Sequence, residues 1–189
     1  EVHDEFLKTL KFWADRGVDG FRIDVAHALK KDLSEPLKDQ STYPGLTNRK
    51  PGQDILFDRD DVHEIYKEWR LLFDSYDPPR VAVAEAYAPA ERLARYASPE
   101  ELGQAFNFEL LEANFNAHEF KTVIDRGLAA AKSQGSSSTW TINNHDQMRP
   151  ATKYGLHPTV DRLRWKNSGG TTHPLDEVAG LNSAIAASM

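Results

Sequence analysis

No cysteine occurs among the 189 residues, so disulfide frameworks, thiolate metal sites and cysteine nucleophiles are all excluded. No run approaches the roughly 18 apolar residues of a membrane span, and the charged opening Glu1-Val2-His3-Asp4-Glu5 has neither the basic start nor the apolar stretch of a secretory signal. Basic residues are in the minority, 23 against 29 acidic, and the net charge of -6 leaves no footprint for nucleic acid and no basic face for anionic lipid. His3, His63, His118, His157 and His173 lack metal-ligand spacing and are expected on the surface or on helices, so neither a metal nor a cofactor is expected. The chain begins without Met inside what reads as a helix, so an upstream segment is expected, and the expected location is cytoplasmic.

What is present is the balance of a globular protein, 40% hydrophobic and 28% charged. Val2, Phe6, Leu10 and Trp13 recur at spacings of three and four and predict an amphipathic helix ending before Gly17. Gly20 to Val25 then alternates Phe21, Ile23 and Val25 with Arg22 and Asp24, the period of a strand, which sets the arginine and the aspartate on one face. Residues 32 to 60 hold Pro36, Pro44, Gly45, Pro51 and Gly52 with little periodicity and read as a long loop over a site. Val62, Ile65, Tyr66, Trp69, Leu72 and Phe73 predict a second helix, and Val81 to Glu85 a strand that is apolar until its last residue.

A weaker helix and strand pair is expected over Pro89 to Tyr96 and Ala105 to Leu110. Another helix is marked by Phe120, Val123, Ile124 and Leu128, a strand by Thr139 to Asn143, and a last helix by Val178, Leu181 and Ile185. Trp13, Trp69, Phe73 and Trp140 fall at positions expected to face the core. Helices alternating with short apolar strands give an α/β architecture with a parallel sheet, read as one domain over residues 1–189.

Acidic residues close three of these strands: Asp24, Glu85 and Asp146. When parallel strands line a barrel, all such ends share one face, so the three carboxylates are expected to converge. Clustered carboxylates oppose one another's ionisation, and glycoside hydrolysis uses that, with one carboxylate as nucleophile and one protonated acid for the leaving oxygen. Taken singly, each feature has a plainer reading: an Arg22–Asp24 ion pair, a carboxylate beside a helix start at Glu85, an Asn-rich turn before Asp146. Their joint occurrence, in order and each at a strand end, favours chemistry.

Three segments resemble, in the family's own order, signature regions of the α-amylase superfamily, glycoside hydrolase family 13. Gly20-Phe21-Arg22-Ile23-Asp24-Val25-Ala26-His27 resembles the second, Ala84-Glu85-Ala86 the third, and Asn143-Asn144-His145-Asp146 the fourth, while Phe106-Asn107-Phe108 looks like the intervening sixth barrel strand. The resemblance implies part of a (β/α)8 TIM barrel, about strands four to seven, because a complete barrel takes about 250 residues. It implies Asp24 as nucleophile, Glu85 as general acid and then base, and Asp146 as the group gripping hydroxyls of the distorted sugar. Arg22 is implied as the nucleophile's partner and His145 as a hydroxyl ligand, with His27, Tyr87, Gln147 and Arg149 as further substrate-binding candidates.

The family's first region, with its Asp and Asn-His, has no counterpart here. The wording around the motifs resembles bacterial α-glucosidases and oligo-1,6-glucosidases, implying retaining hydrolysis of terminal α-glucosidic bonds in malto- or isomalto-oligosaccharides. The substrate is then a small α-glucoside; no nucleic acid or membrane partner is implied, and no oligomeric state. Transglycosylases such as trehalose synthases and sucrose-active enzymes resemble this region too. So do non-catalytic relatives that use the fold for interaction, and an inactive truncated chain with open barrel edges is a further alternative.

Overall fold

The computed structural model describes residues 1–38, 51–170 and 172–189. The chain divides into two units, Glu1–Phe106 with Gly127–Thr139, and Asn107–Arg126 with Trp140–Met189. A four-stranded sheet carries β1 (Gly20–Ile23), β2 (Val81–Ala84), β3 (Gly103–Asn107) and β4 (Thr139–Trp140) in that spatial order. β1 pairs with β2 and β2 with β3 in parallel, with Gly20 opposite Val81 and Ile23 opposite Ala84. Parallel neighbours need crossovers, which here run through helices. Gly20 lets β1 start close to its neighbour: a Cβ there would stand 2.7 Å from Val81 Cγ2.

In the first unit, α1 (Val2–Ala14) and α2 (Val62–Asp74) follow the predicted stripes. Val62, Tyr66, Trp69 and Phe73, spaced by four, three and four, are buried on one face of α2 and join Leu10, Ile23, Ala82, Ala84, Leu93, Leu102 and Ala105 in the core. Phe73 stacks flat on Phe21 of β1 with centroids 5.5 Å apart. Removing a fully buried ring leaves a cavity that the packed surroundings fill only in part. Phe73→Ala should therefore cost about 3–5 kcal/mol, read as a lowered denaturant midpoint with little change in slope. α3 (Ala90–Tyr96) sets Ala90 and Ala94 against Ala130 of α5 (Ala117–Ser133).

In the second unit, α4 (Phe108–Glu112) starts where the Asn107 side chain accepts from the Leu110 amide at 3.1 Å. α6 (Pro150–Gly155), α7 (Arg162–Asn167) and α8 (Glu177–Ser188) follow; Pro opens α6, and Asp161 and Asp176 cap α7 and α8. α6 and α8 touch almost backbone to backbone, since a Cβ on Gly180 would meet the Ala151 carbonyl oxygen and the Gly155 amide.

Several expectations are corrected. β4 ends at Trp140 rather than Asn143, because Asn144 Oδ1 accepts from the amides of Asp146 and Gln147 and folds the segment into a turn instead. β3 begins at Gly103 and gives way to α4 at Phe108, where Asn107 caps the helix. Trp69 and Phe73 are core residues, but Trp13 and Trp140 remain 49% and 40% exposed. On α1 the side that enters the core carries Leu10 and Ala14, whereas Trp13 packs edge-on against its neighbour Phe12. His63, expected on the surface or on a helix, lies on α2 but is 2% exposed, with Nδ1 2.7 Å from Glu101 Oε2 and its ring against Tyr96. On α8 the buried position is Gly180, and Val178, Leu181 and Ile185 are exposed. The short helices α6 and α7 have no counterpart in the sequence pattern. Of the predicted loop, 39–50 lies outside the described residues; 32–38 and 51–60 carry no helix or named strand. Among the described residues no helix is long and apolar enough to cross a membrane.

Candidate active site

Because Ile23 and Ala84 are register partners on adjacent parallel strands, the next residues, Asp24 and Glu85, emerge side by side at the same end of the sheet. The ladder continues one step further: the Glu85 amide donates to Ile23 O at 2.9 Å and the Ala26 amide to Glu85 O at 2.8 Å. The Asp24 carboxylate is exposed and that of Glu85 buried. Arg22, on the same strand face as Asp24, places one nitrogen, Nη2, 3.0 Å from an oxygen of Asp24 and 3.0 Å from Oε2 of Glu85. The two carboxylate oxygens are thus no further apart than twice that distance, compatible with the carboxyl spacing that retention of configuration requires.

Val25 supplies the next contact. Its φ of 47° is left-handed, an unfavourable conformation for a β-branched residue, and it turns the Val25 amide onto Glu85 Oε2 at 3.1 Å. Burial opposes ionisation of Glu85, but the Val25 amide, the Asp24 carboxyl group and the Arg22 guanidinium outweigh it and hold the carboxyl below the ordinary glutamate range. Backbone strain at Val25 is removable. Val25→Asn, whose side chain tolerates this conformation, should stabilise the chain by about 1 kcal/mol, a rise of roughly 2–4 °C in Tm.

The turn after Asp24 is fixed from below by Tyr66, whose buried hydroxyl donates to Ala26 O. His27 is buried, receives the Tyr87 amide on Nδ1 at 3.4 Å, and stacks on Phe57 with centroids 5.5 Å apart. Burial keeps the His27 pKa below the usual histidine value, in keeping with a ring nitrogen that accepts. Tyr87 stands edge-on to His27 with its side chain half exposed. Arg22, Asp24, His27, Glu85 and Tyr87 therefore form one constellation within the first unit.

Asp146, His145, Gln147 and Arg149 belong to the second unit. His145 Nε2 lies 3.5 Å from Asp146 Oδ1, and both side chains are exposed. Arg149 donates from Nη1 to Asn143 Oδ1 at 3.2 Å and to Asn144 O, bracing the turn that carries Asp146. A pocket of about 360 Å³ in this unit is lined by Asp146 and Gln147 together with Leu111, Glu112, Lys153 and Arg162.

Lys153 carries no signal in the sequence, where nothing distinguishes it from a surface lysine. It is buried, donates to Leu111 O at 2.6 Å, and burial followed by the nearby Arg162 brings its amine down to about 8. Sequence reasoning also misses the pairing of Asp58 with Arg92; two arginines three apart on α3 facing a run of aspartates is the available signal.

Residues 1–168 match the family described as alpha amylase, catalytic domain. Over 178 residues the chain is 32% identical to maltase A2 of Drosophila melanogaster, covering 86% of this chain and 31% of that protein. It is 27% identical to the oligo-1,6-glucosidase of Parageobacillus thermoglucosidasius over 169 residues, 82% of this chain and 29% of the relative. Among solved structures it is similar to an alpha-glucosyl transfer enzyme, XgtA, with a TM-score of 0.64 and 25% identity over 85% of this chain and 31% of that one. The chain spans about a third of the length of these relatives. Strand order, parallel pairing and family match agree: this chain belongs to the α-amylase family of glycoside hydrolases, family 13, and its sheet is part of a (β/α)8 barrel.

Proposed function

We propose that the chain carries the chemical centre of a retaining α-glucosidase that cleaves terminal α-glucosidic bonds of malto- or isomalto-oligosaccharides, with residues 1–189 acting as one partial catalytic barrel domain. The observation that carries this is the single Arg22 nitrogen between two carboxylates, one exposed and one buried, at the ends of neighbouring parallel strands. Asp24, paired with Arg22 and open to solvent, is the nucleophile that attacks the anomeric carbon. Glu85 gives a proton to the leaving oxygen and then, as a carboxylate, takes one from the water that cleaves the glycosyl ester. Asp146 and His145 hold sugar hydroxyls, with Gln147 and Arg149 beside them. The names of the relatives, maltase and oligo-1,6-glucosidase, support this substrate class.

Interception of the glycosyl ester by a second sugar is the alternative, favoured by the similarity to an alpha-glucosyl transfer enzyme. The test is release of nitrophenol from p-nitrophenyl α-glucoside by the chain, with product analysis on maltose and isomaltose. Glucose alone is the expected product; longer or isomerised sugars favour transfer. No turnover by a chain that melts cooperatively overturns the reading for this chain.

A further inference from the structure

The described end of the long loop has no regular structure, yet it is held more tightly than a surface loop needs. Buried Asp54 accepts from the amides of Leu56 and Phe57 at 2.7 and 2.9 Å, and Arg59 returns to Asp54 O at 3.0 Å. Asp58 stands at a left-handed φ of 47°. Its amide donates to His27 O at 2.6 Å, and its carboxylate accepts from the Tyr96 hydroxyl at 2.8 Å and from Arg92 Nε. The other two Arg92 nitrogens reach Asp58 O at 2.8 Å and Asp60 Oδ1 at 3.1 Å, where Arg95 adds a bond at 2.7 Å.

Both Asp58 and Arg92 are largely buried, at 15% and 13% exposure. Desolvating such a pair is costly and does little for net stability against an apolar replacement, so its presence calls for a geometric reason. That reason lies in what the pair holds. Phe57 stacks on His27, the Asp58 amide fixes His27 O, and His27 Nδ1 takes the amide of Tyr87, two residues beyond Glu85. A three-pronged guanidinium grip on α3 is thereby transmitted to the surface that follows the general acid.

We propose that the Asp58–Arg92 clasp is a positioning device that sets the His27–Tyr87 wall and so determines affinity for the leaving-group sugar. This rests on the glycosidase reading, because Glu85 serves the leaving oxygen and a wall beside it meets the departing group. Bond cleavage itself does not pass through the clasp. Arg92→Lys replaces three directed donors by a point charge, and Asp58→Asn removes the charge while keeping a side chain suited to the left-handed backbone.

The experiment compares these variants of the chain on maltose and on α-glucosyl fluoride, whose leaving group is too small to touch the wall, and follows amide hydrogen exchange alongside. The expected result is a KM for maltose raised about tenfold with kcat and the fluoride reaction within about threefold, the split expected when binding rather than the transition state is disturbed. Amides of Asp58 and Tyr87 should exchange about tenfold faster while those of Ala82 and Glu85 are unchanged, the pattern of a local opening. Equal losses on both substrates, or unaltered exchange, overturn the proposal. Should the parent chain turn over neither substrate, the glycosidase reading fails and the exchange data alone decide the clasp. If Arg92→Lys does not melt cooperatively, the outcome for Asp58→Asn, matched to its backbone, decides.

Discussion

If Asp24 is the nucleophile, as proposed, replacing it by Asn should lower glucoside hydrolysis by at least about 10⁴-fold on every substrate tested, because an amide cannot form the covalent glycosyl ester on which both half-reactions of that mechanism depend. The loss should fall on kcat. Leaving groups as different as nitrophenol, glucose and fluoride should suffer alike, since the missing bond is common to all of them. Stability should hardly move, because the Asp24 carboxylate is exposed and its partner Arg22 keeps Glu85. A Tm within about 2 °C of the parent, with hydrolysis gone, separates a chemical role from a structural one.

Glu85→Gln should behave differently in two respects. A glutamine can neither protonate a leaving oxygen nor accept a proton from water, so turnover of maltose should fall by about 10²–10⁴-fold. The first of these tasks matters little when the leaving group is already stable as an anion. Formation of the glycosyl ester from p-nitrophenyl α-glucoside should therefore survive far better than formation from maltose, seen as a burst of nitrophenol before a slow steady state. Asp24→Asn should show no burst.

The second difference is in acid. The folded chain holds Glu85 below its ordinary value of 4.5, so its carboxylate form is the one that folding favours. Its contribution to stability is present above about pH 4.5 and is lost as pH falls through the lower folded value. The Tm advantage of the parent over Glu85→Gln should accordingly be largest near neutrality and shrink between about pH 5 and 3, and thermal melts of both chains across that range measure it. An advantage that grew on acidification would mean that the neutral acid is the favoured form.

The legible parts of the site are those written as period. The two-residue alternation from Gly20 to Val25 sets Arg22 and Asp24 on one face, and the structure joins them at 3.0 Å. An apolar run ending in one acid marks Glu85, and pairing of Ile23 with Ala84 brings both acids to the same sheet end. The α2 stripe read from spacing is the stripe that is buried. Period names a face but not a partner, which is why the rest is hidden. His63 finds Glu101 across 38 positions and Asp58 finds Arg92 across 34, pairings that no local pattern encodes. Where local hydrogen bonding competes with a strand, as at Asn144, alternation overstates the length of the strand. Trp13 and Trp140 show the remaining weakness, for size and apolarity do not say which side of an element the core lies on.

One nitrogen of Arg22 lies between two carboxyl groups, and in the proposed double displacement that placement acts at two stages. In the resting state its positive charge is divided between Asp24 and Glu85. Were Asp24 to become a neutral ester, as the proposed mechanism has it, the same cation would face Glu85 alone, and the carboxylate form needed to draw a proton from water would gain a counter-ion at that step. Hydrolysis of that ester would restore the second carboxyl group and divide the charge again. On that mechanism a fixed guanidinium works as a switch with no moving part, tightening its hold on the Glu85 carboxylate only while the neighbouring carboxyl carries a sugar.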